Sequence, residues 1–521
     1  MPIETLEQHE RLVQALMDER RWPQGGGDRR RIDTHISTVL LAGDVAYKIK
    51  KPLDLGFLDF LSLASRRHAC DEELRLNRRL APQIYRHVCA ITGEIDSPQI
   101  DGHGAVIDWA VCMRRFDADA VLSNPRCVID ANLVDQLADT VATFHETAPS
   151  SPIESAYGNV DGVLEPMRAN FTQLGELPRP EAQRVARLRD WTERVGATLH
   201  DRFAARKRDA RVRECHGDLH LGNVALIDGR PVVFDAIEFN PGLRWIDTAN
   251  DVAFLTMDMH QRGMADLAYR FIDRYLFRTG DYGSLAVLRF YEVYRALVRA
   301  KIAAIRLRQV DAADGVATEL QQYLSLAGQL TQPRRGALLI THGPSGSGKS
   351  FVTRELPERL HGVRLRSDVE RKRLLGISPG ADATAQGAYA STMTEKTYAA
   401  LAEHAAVAVS AGYVAVVDAT FLQQRQRDAF ADLATRLQVP FVIIDCSAPI
   451  DTLRRRIAAR QHQRGNVSDA DHAVLERQLR TADPLSTAER RSSVHVAPDQ
   501  ELDVGALRDR ITRWPRVDEE P

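Results

Sequence analysis

The chain has 521 residues, which at about 150 residues per domain calls for more than one hydrophobic core. Hydrophobic residues at 44% and charged residues at 27% are the proportions of a globular protein and exclude wholesale disorder. Lys+Arg 69 against Asp+Glu 71 leaves a net charge of −2, so no strong overall field favours nucleic acid or an anionic membrane.

Residues 23–30 (PQGGGDRR) read as a Gly-rich basic loop. Ile36–Leu41 and Val45–Ile49 read as short strands joined by a turn at Ala42-Gly43-Asp44. Ser65–Leu80 reads as a helix, Ala105–Phe116 as a buried strand with a polar exit, and Leu133–His145 as a helix. Pro166–Arg208 is helical and heavily charged. Cys215–Asn223 reads as a loop, followed by strand Val224–Ile227, an Asp228-Gly229 turn and strand Pro231–Phe234. Helical patterns fill Thr248–Leu326, and 328–336 (GQLTQPRRG) breaks them with Gly, Pro and paired Arg, as a linker does. Beyond it, Ala337–Ile340, Val414–Val417 and Phe441–Ile444 are short apolar strands separated by helical patterns, which predicts a parallel α/β sheet.

The second half carries Gly343-Pro344-Ser345-Gly346-Ser347-Gly348-Lys349-Ser350, a G-x-x-x-x-G-K-[ST] loop between a strand and a helix. Its glycines let backbone N–H groups turn inward on phosphate oxygens at the positive end of a helix. Lys349 is placed to reach the β and γ phosphates and Ser350 to hold Mg²⁺. Asp368 follows the next predicted strand, where a carboxylate can accept a proton from a hydroxyl, and Arg371, one turn on, can hold the acceptor. Asp418 ends a buried strand at the sheet edge where ligands bind, to orient Mg²⁺ through water or to bind the acceptor. Arg456 and Arg460 lie one turn apart in Leu453–Arg460, a spacing suited to a transferring phosphoryl group. Over about 334–515 these motifs resemble the P-loop kinases that include polynucleotide 5′-kinases, gluconate kinases and zeta toxins. The resemblance implies Asp368 as acceptor base, Arg371 as acceptor clamp, and Arg456 and Arg460 as lid residues.

The first half carries His216-Gly217-Asp218 with Asn223 five residues after the Asp, the H-x-D-x-x-x-x-N spacing of a kinase catalytic loop. Asp218 is expected to take or orient the acceptor proton, and Asn223 and the strand-end Asp235 to supply oxygen ligands to Mg²⁺. Over about 30–310 the chain resembles the aminoglycoside phosphotransferase-like kinases, which include choline, homoserine and fructosamine kinases. The resemblance implies Lys48 as the strand lysine that pairs with ATP phosphates, with Lys50 the competitor on the same face, and Glu73 as its ion-pair partner, ahead of Glu72. It also implies Met113–Phe116 as the hinge meeting adenine. Glu238 is a candidate for the metal or acceptor site, and Asp247 and Asp251 read as helix caps or structural carboxylates. The protein-kinase G-x-G-x-x-G is missing, so the Thr34–Thr38 and Gly43 hairpin is expected to cover the phosphates.

As a whole the chain resembles bacterial bifunctional aminoglycoside phosphotransferase-like/P-loop (AAA-type) ATP-binding proteins. The expected fold is therefore α/β and α+β: a bilobal kinase-like domain at 1–327 (lobes at about 30–112 and 117–327), the linker 328–336, and a P-loop kinase domain with a parallel sheet at 337–521. The expected activity is transfer of the ATP γ-phosphoryl group to hydroxyls of small acceptors, a sugar, amino-sugar or amino-alcohol at the first site. The alternative readings are one active kinase domain with the other a nucleotide-gated regulatory module, or a nucleic-acid 5′-hydroxyl kinase at the second site, the one site where nucleic acid is considered as acceptor. No run of 18 apolar residues occurs, which predicts no membrane span. Met1–Arg11 lacks the apolar core of a secretory signal, and the six cysteines show no CxxC pair, a pattern that fits the cytoplasm.

Overall fold

The computed structural model describes residues 2–18, 29–56, 58–179, 181–309, 314–377, 391–461, 471–498 and 500–514, with side chains except at 309, 314, 460 and 461. Residues 23–28 of the Gly-rich basic loop lie outside these. Packing divides the chain into two compact units, Met1–Asn170 with Phe203–Asp258, and Phe171–Arg202 with Met259–Pro521.

The first unit opens with the helix Leu6–Leu16, started by a capping box in which Thr5 and Gln8 bond each other's backbone N–H. Its His9, Leu12, Val13 and Leu16 are buried at the spacing of one helix face. They pack on an antiparallel sheet of six strands: β1 (Arg29–Asp33), β2 (Ser37–Ala42), β3 (Val45–Lys50), β4 (Tyr85–Glu94), β5 (Ser97–Ile100) and β6 (Val106–Arg114). The order is β1-β2-β3-β6-β4-β5, which puts β3 in the interior of the sheet. All six residues of β3 (VAYKIK) are buried, so its two lysines must be charge-paired. The helix Leu63–Asn77, capped by Ser62, contributes Cys70 to the core on that side. Below this sheet, β7 (Val212–Glu214) leads into the catalytic-type loop. The hairpin of β8 (Val224–Ile227) and β9 (Arg230–Val233) follows, and β10 (Trp245–Asp247) pairs back on β7.

The second unit contains a parallel five-stranded sheet: β11 (Ala337–His342), β12 (Gly362–Arg366), β13 (Val414–Asp418), β14 (Phe441–Cys446) and β15 (Ser493–Val496). The order β12-β13-β11-β14-β15 places β11 at the centre, with the glycine loop at its carboxyl end. The same unit includes helices that precede 328–336 in sequence. One of them, Ala265–Thr279, blunts the free edge of β12: Asp273 accepts the Arg364 N–H at 2.6 Å. Tyr282, beyond that helix, donates its hydroxyl to the Arg364 carbonyl at 3.2 Å. The helix Leu6–Leu16 and the strands β4, β5 and β15 add to the elements expected from sequence. Among the described residues no helix is long and apolar enough to cross a membrane.

Candidate active sites

The alternation of β3 puts Lys48 and Lys50 on one face, and both reach Glu73 of the helix Leu63–Asn77. Lys48 Nζ lies 2.8 Å from Glu73 Oε1 and also pairs with Asp235. Lys50 takes the other oxygen of Glu73 and pairs with Glu238. Lys48 opens onto a cavity of about 850 Å³ that Met113, Phe116 and Asp235 also line, whereas Lys50 is fully enclosed. Glu72 turns elsewhere, to Arg75 at 2.8 Å and Arg244 at 3.1 Å. Burial pushes the Glu73 carboxyl up, but the two lysines outweigh it and hold the group down at about 2. Burial likewise works against a charged Lys48, and Asp235 and Glu73 override it to hold the ammonium well above its ordinary value.

Asp218 stands 38% exposed at the loop tip. Asn223 Nδ2 donates to its Oδ2 at 3.0 Å and to its carbonyl at 2.9 Å, so the pair foreseen from spacing is in contact. The loop is held from beneath by Asp251, fully buried, which accepts the backbone N–H of His216 at 3.0 Å and of Gly217 at 2.9 Å. The His145 ring stands behind it, Nε2 at 3.1 Å from Asp251. His216 accepts the Asp218 N–H on Nδ1 at 3.3 Å and reaches the Phe234 carbonyl with Nε2 at 2.9 Å. That is the pattern of a neutral ring, and burial pushes its pKa down in the same sense. Gly217 sits at φ 85°, where a Cβ would come 2.7 Å from the Leu243 carbonyl oxygen.

Asp235 adopts φ 64°, an unusual conformation for a residue with a Cβ, and its N–H meets the Tyr85 hydroxyl at 3.2 Å. That twist turns its carboxylate, 42% exposed, onto Lys48. Asn223 and Asp235 are both oxygen donors, the chemistry a hard cation such as Mg²⁺ selects. Glu238 faces Lys50 inside the protein. Asp247 is bound by Arg206 through two bonds of 2.5 and 2.7 Å. A second set of ligand-type atoms, on His145, Cys215 and Asp251, is buried, and both Asp251 oxygens are committed to the loop amides.

In the second unit Gly343, Gly346 and Gly348 all have positive φ, and a Cβ on Gly343 would meet the Cys446 carbonyl oxygen at 2.2 Å. Pro344, Ser345 and Ser347 lie between these glycines. The Lys349 ammonium donates to the Pro344 carbonyl at 2.7 Å, closing the loop on itself. Ser350 and the buried Asp418 face one cavity of about 360 Å³, and Thr353 donates to Asp418 at 3.4 Å.

Asp368 and Arg371 line the same cavity. Asp368 is gripped by Arg366 through two bonds of 2.7 and 3.1 Å and accepts the Val369 N–H at 2.9 Å. Burial pushes this carboxyl up, but Arg366 outweighs it and keeps the group below the usual carboxylate range. Arg456 does not line this cavity and donates to the Gly346 carbonyl at 3.2 Å. The side chain of Arg460 lies outside the described residues. Sequence reasoning missed the helix His472–Thr481, whose Gln478 accepts the Ser345 N–H at 2.9 Å and whose Arg477 faces the cavity, as does Arg425. No spacing rule ties these to the glycine loop more than 70 residues away.

The chain carries two kinase-type domains, which support a phosphotransferase enzyme. Residues 60–291 match the phosphotransferase enzyme family, and residues 338–485 match an AAA domain. The uncharacterized protein Rv2004c of Mycobacterium tuberculosis is 29% identical over 452 residues, which span 84% of this chain and 87% of that protein. Among solved structures, a choline/ethanolamine kinase family protein from Mesorhizobium loti covers 62% of this chain and 95% of its own, with 12% identity and a TM-score of 0.39. Kti12 from Chaetomium thermophilum, in complex with ADP-AlF3, covers 34% of this chain and 98% of its own, with 18% identity and a TM-score of 0.28.

Proposed function

We propose that the chain is an ATP-dependent phosphotransferase with two kinase-type sites, divided at 328–336, each passing a γ-phosphoryl group to a hydroxyl of a small acceptor. The observation that carries this reading is the meeting of two neighbouring groups from four separate segments, Lys48–Glu73–Asp235 and Asp218–Asn223. They are joined through the backbone of Phe234, next to Asp235: the Phe234 N–H reaches the Asn223 carbonyl at 2.9 Å and the Phe234 carbonyl meets His216. At the first site Asp218 orients the acceptor hydroxyl and takes its proton. Lys48, held in place by Glu73, meets the phosphates, and Asn223 and Asp235 would hold Mg²⁺. At the second site Lys349 and the turned-in N–H groups bind the phosphates, Ser350 and Asp418 would hold Mg²⁺, and Arg371 clamps the acceptor. When bound, the metal supplies charge neutralisation along the triphosphate. Asp368 acts on the acceptor proton once its pair with Arg366 opens, and Arg456 and Arg460 steady the lid. A cavity of about 360 Å³ lined by Ser, Thr, Gln and Arg suits a small polar acceptor.

Calorimetric titration with Mg²⁺ and AMP-PNP tests the reading. The wild type should show two nucleotide sites, Lys349→Ala one, and Lys48→Met with Lys349→Ala none. Two sites persisting in Lys349→Ala would overturn the assignment.

A further inference from the structure

Part of the heavily charged helical stretch meets the 328–336 segment within the second unit, and neither takes part in the sites above. Along the helix Glu181–Thr198, Val185, Leu188 and Thr192 are buried, and beside them Arg184, Arg187, Trp191 and Arg194 recur on one side of the helix. The rise of a helix separates Arg184 from Arg187 by about 4.5 Å along the axis, and Arg187 from Arg194 by about 10 Å. The end of the helix Asp314–Leu330 and residues 331–333 lie against this side. Two adjoining hollows of about 380 and 450 Å³ result, which share Arg187, Thr331 and Gln332, and Arg289 lines the second.

Neither hollow is lined by an Asp or a Glu, and neither shares a residue with the cavities of Lys48 and Lys349. Among the described residues Arg187 and Arg194 have no hydrogen-bond or ion-pair partner, and Arg184 bonds the neutral Gln321 at 3.1 Å. A guanidinium keeps its charge at any working pH, so four positive charges face the groove. The carbonyl end of Asp314–Leu330 offsets them by about half a charge, and the excess favours an anion even though the whole chain carries −2. Guanidinium forks match phosphate, and Trp191, resting on Phe290 with ring centres 5.9 Å apart, sets an aromatic surface among them on which a base can stack. A free phosphate or an acidic peptide leaves that ring unused.

We propose that this groove is a binding track for single-stranded nucleic acid, in which Arg184, Arg187, Arg194 and Arg289 meet phosphates and Trp191 meets a base.

The test is fluorescence anisotropy of a labelled, 5′-phosphorylated oligouridine, which has no 5′ hydroxyl to offer as acceptor, on the full chain in EDTA, with thermal melting alongside. For four phosphate contacts, log K should fall by about 3 for each tenfold rise in salt. Arg187→Gln with Arg194→Gln should melt like the wild type, bind at least about tenfold more weakly and lower that slope by about 1.4. Trp191→Leu should bind at least about fivefold more weakly with its slope unchanged. Arg187 and Arg194 are exposed, so their pair of substitutions keeps the proposal testable if Trp191→Leu does not fold. Lys349→Ala should bind within about twofold of the wild type, which separates this groove from the proposed second site. No binding at low salt, an arginine variant as tight as the wild type, a folded Trp191→Leu of unchanged affinity, or a tenfold loss in Lys349→Ala would each overturn the proposal.

Discussion

Replacing Asp251 by asparagine keeps the size of the side chain and removes its charge. In the wild type, one oxygen accepts the His216 N–H at 3.0 Å and the other the Gly217 N–H at 2.9 Å, in a site with no solvent access. An amide offers a single acceptor oxygen, so one of those N–H groups is left facing an NH₂ group. A hydrogen bond to a charged group contributes about 1.5–3 kcal/mol, and a buried unsatisfied donor costs a similar amount again. Local destabilisation of the loop should therefore be about 3 kcal/mol or more, which is about 150-fold in its opening equilibrium. Hydrogen exchange of the peptide spanning Cys215–Asn223 reads that equilibrium directly. Protection of the His216 and Gly217 amides within about twofold of the wild type would refute the reasoning.

Asp218→Asn should lower acceptor-dependent ATP consumption by about 10²–10⁴, screened against a library of small alcohols, because a positioned acid/base group is lost. Its melting temperature should hardly move, since Asp218 is part-exposed and an asparagine oxygen can still accept from Asn223. The stability of the first unit should also fall with acid over a defined window. Burial lowers the His9 pKa from 6.5 to about 4, aided by Lys51 and Arg31, while the ring bonds Thr38 at 3.0 Å. Between those values the unfolded chain binds more protons, so stability rises with pH and is lost as pH falls from 6.5 towards 4, by about 3 kcal/mol in all. His9→Gln should flatten denaturation midpoints across that window; an unchanged pH slope would count against burial as the cause. Glu73, held at about 2, adds a further loss only below the ordinary glutamate range.

Much of the chemistry was legible locally. The Asp218–Asn223 contact follows from a five-residue spacing, and the glycine loop from residues whose positive φ values few others tolerate. Of the two lysines offered by β3 and the two glutamates of the facing helix, alternation shows only that Lys48 and Lys50 share a face. The packed structure gives Lys48 the cavity, Lys50 the interior, and both of them Glu73. Asp251 reads in sequence as a helix cap or structural carboxylate, but which loop it fixes is shown only by packing, because its partners lie 34 and 35 positions away. Arg366 beside Asp368 is visible as a neighbour, but whether it points at that carboxylate or at solvent depends on burial at the end of β12.

By itself the sequence determined the presence of two phosphate-handling motifs, the class of each domain, and the residue types available at each. Such features are short-range: a turn, a cap or a loop needs only its own few residues in order. Tertiary structure alone decided which charges pair, which lysine reaches the cavity, and that helices before 328–336 close the edge of the P-loop sheet. Those outcomes depend on desolvation and distance between segments far apart in the chain, and no local pattern carries that information.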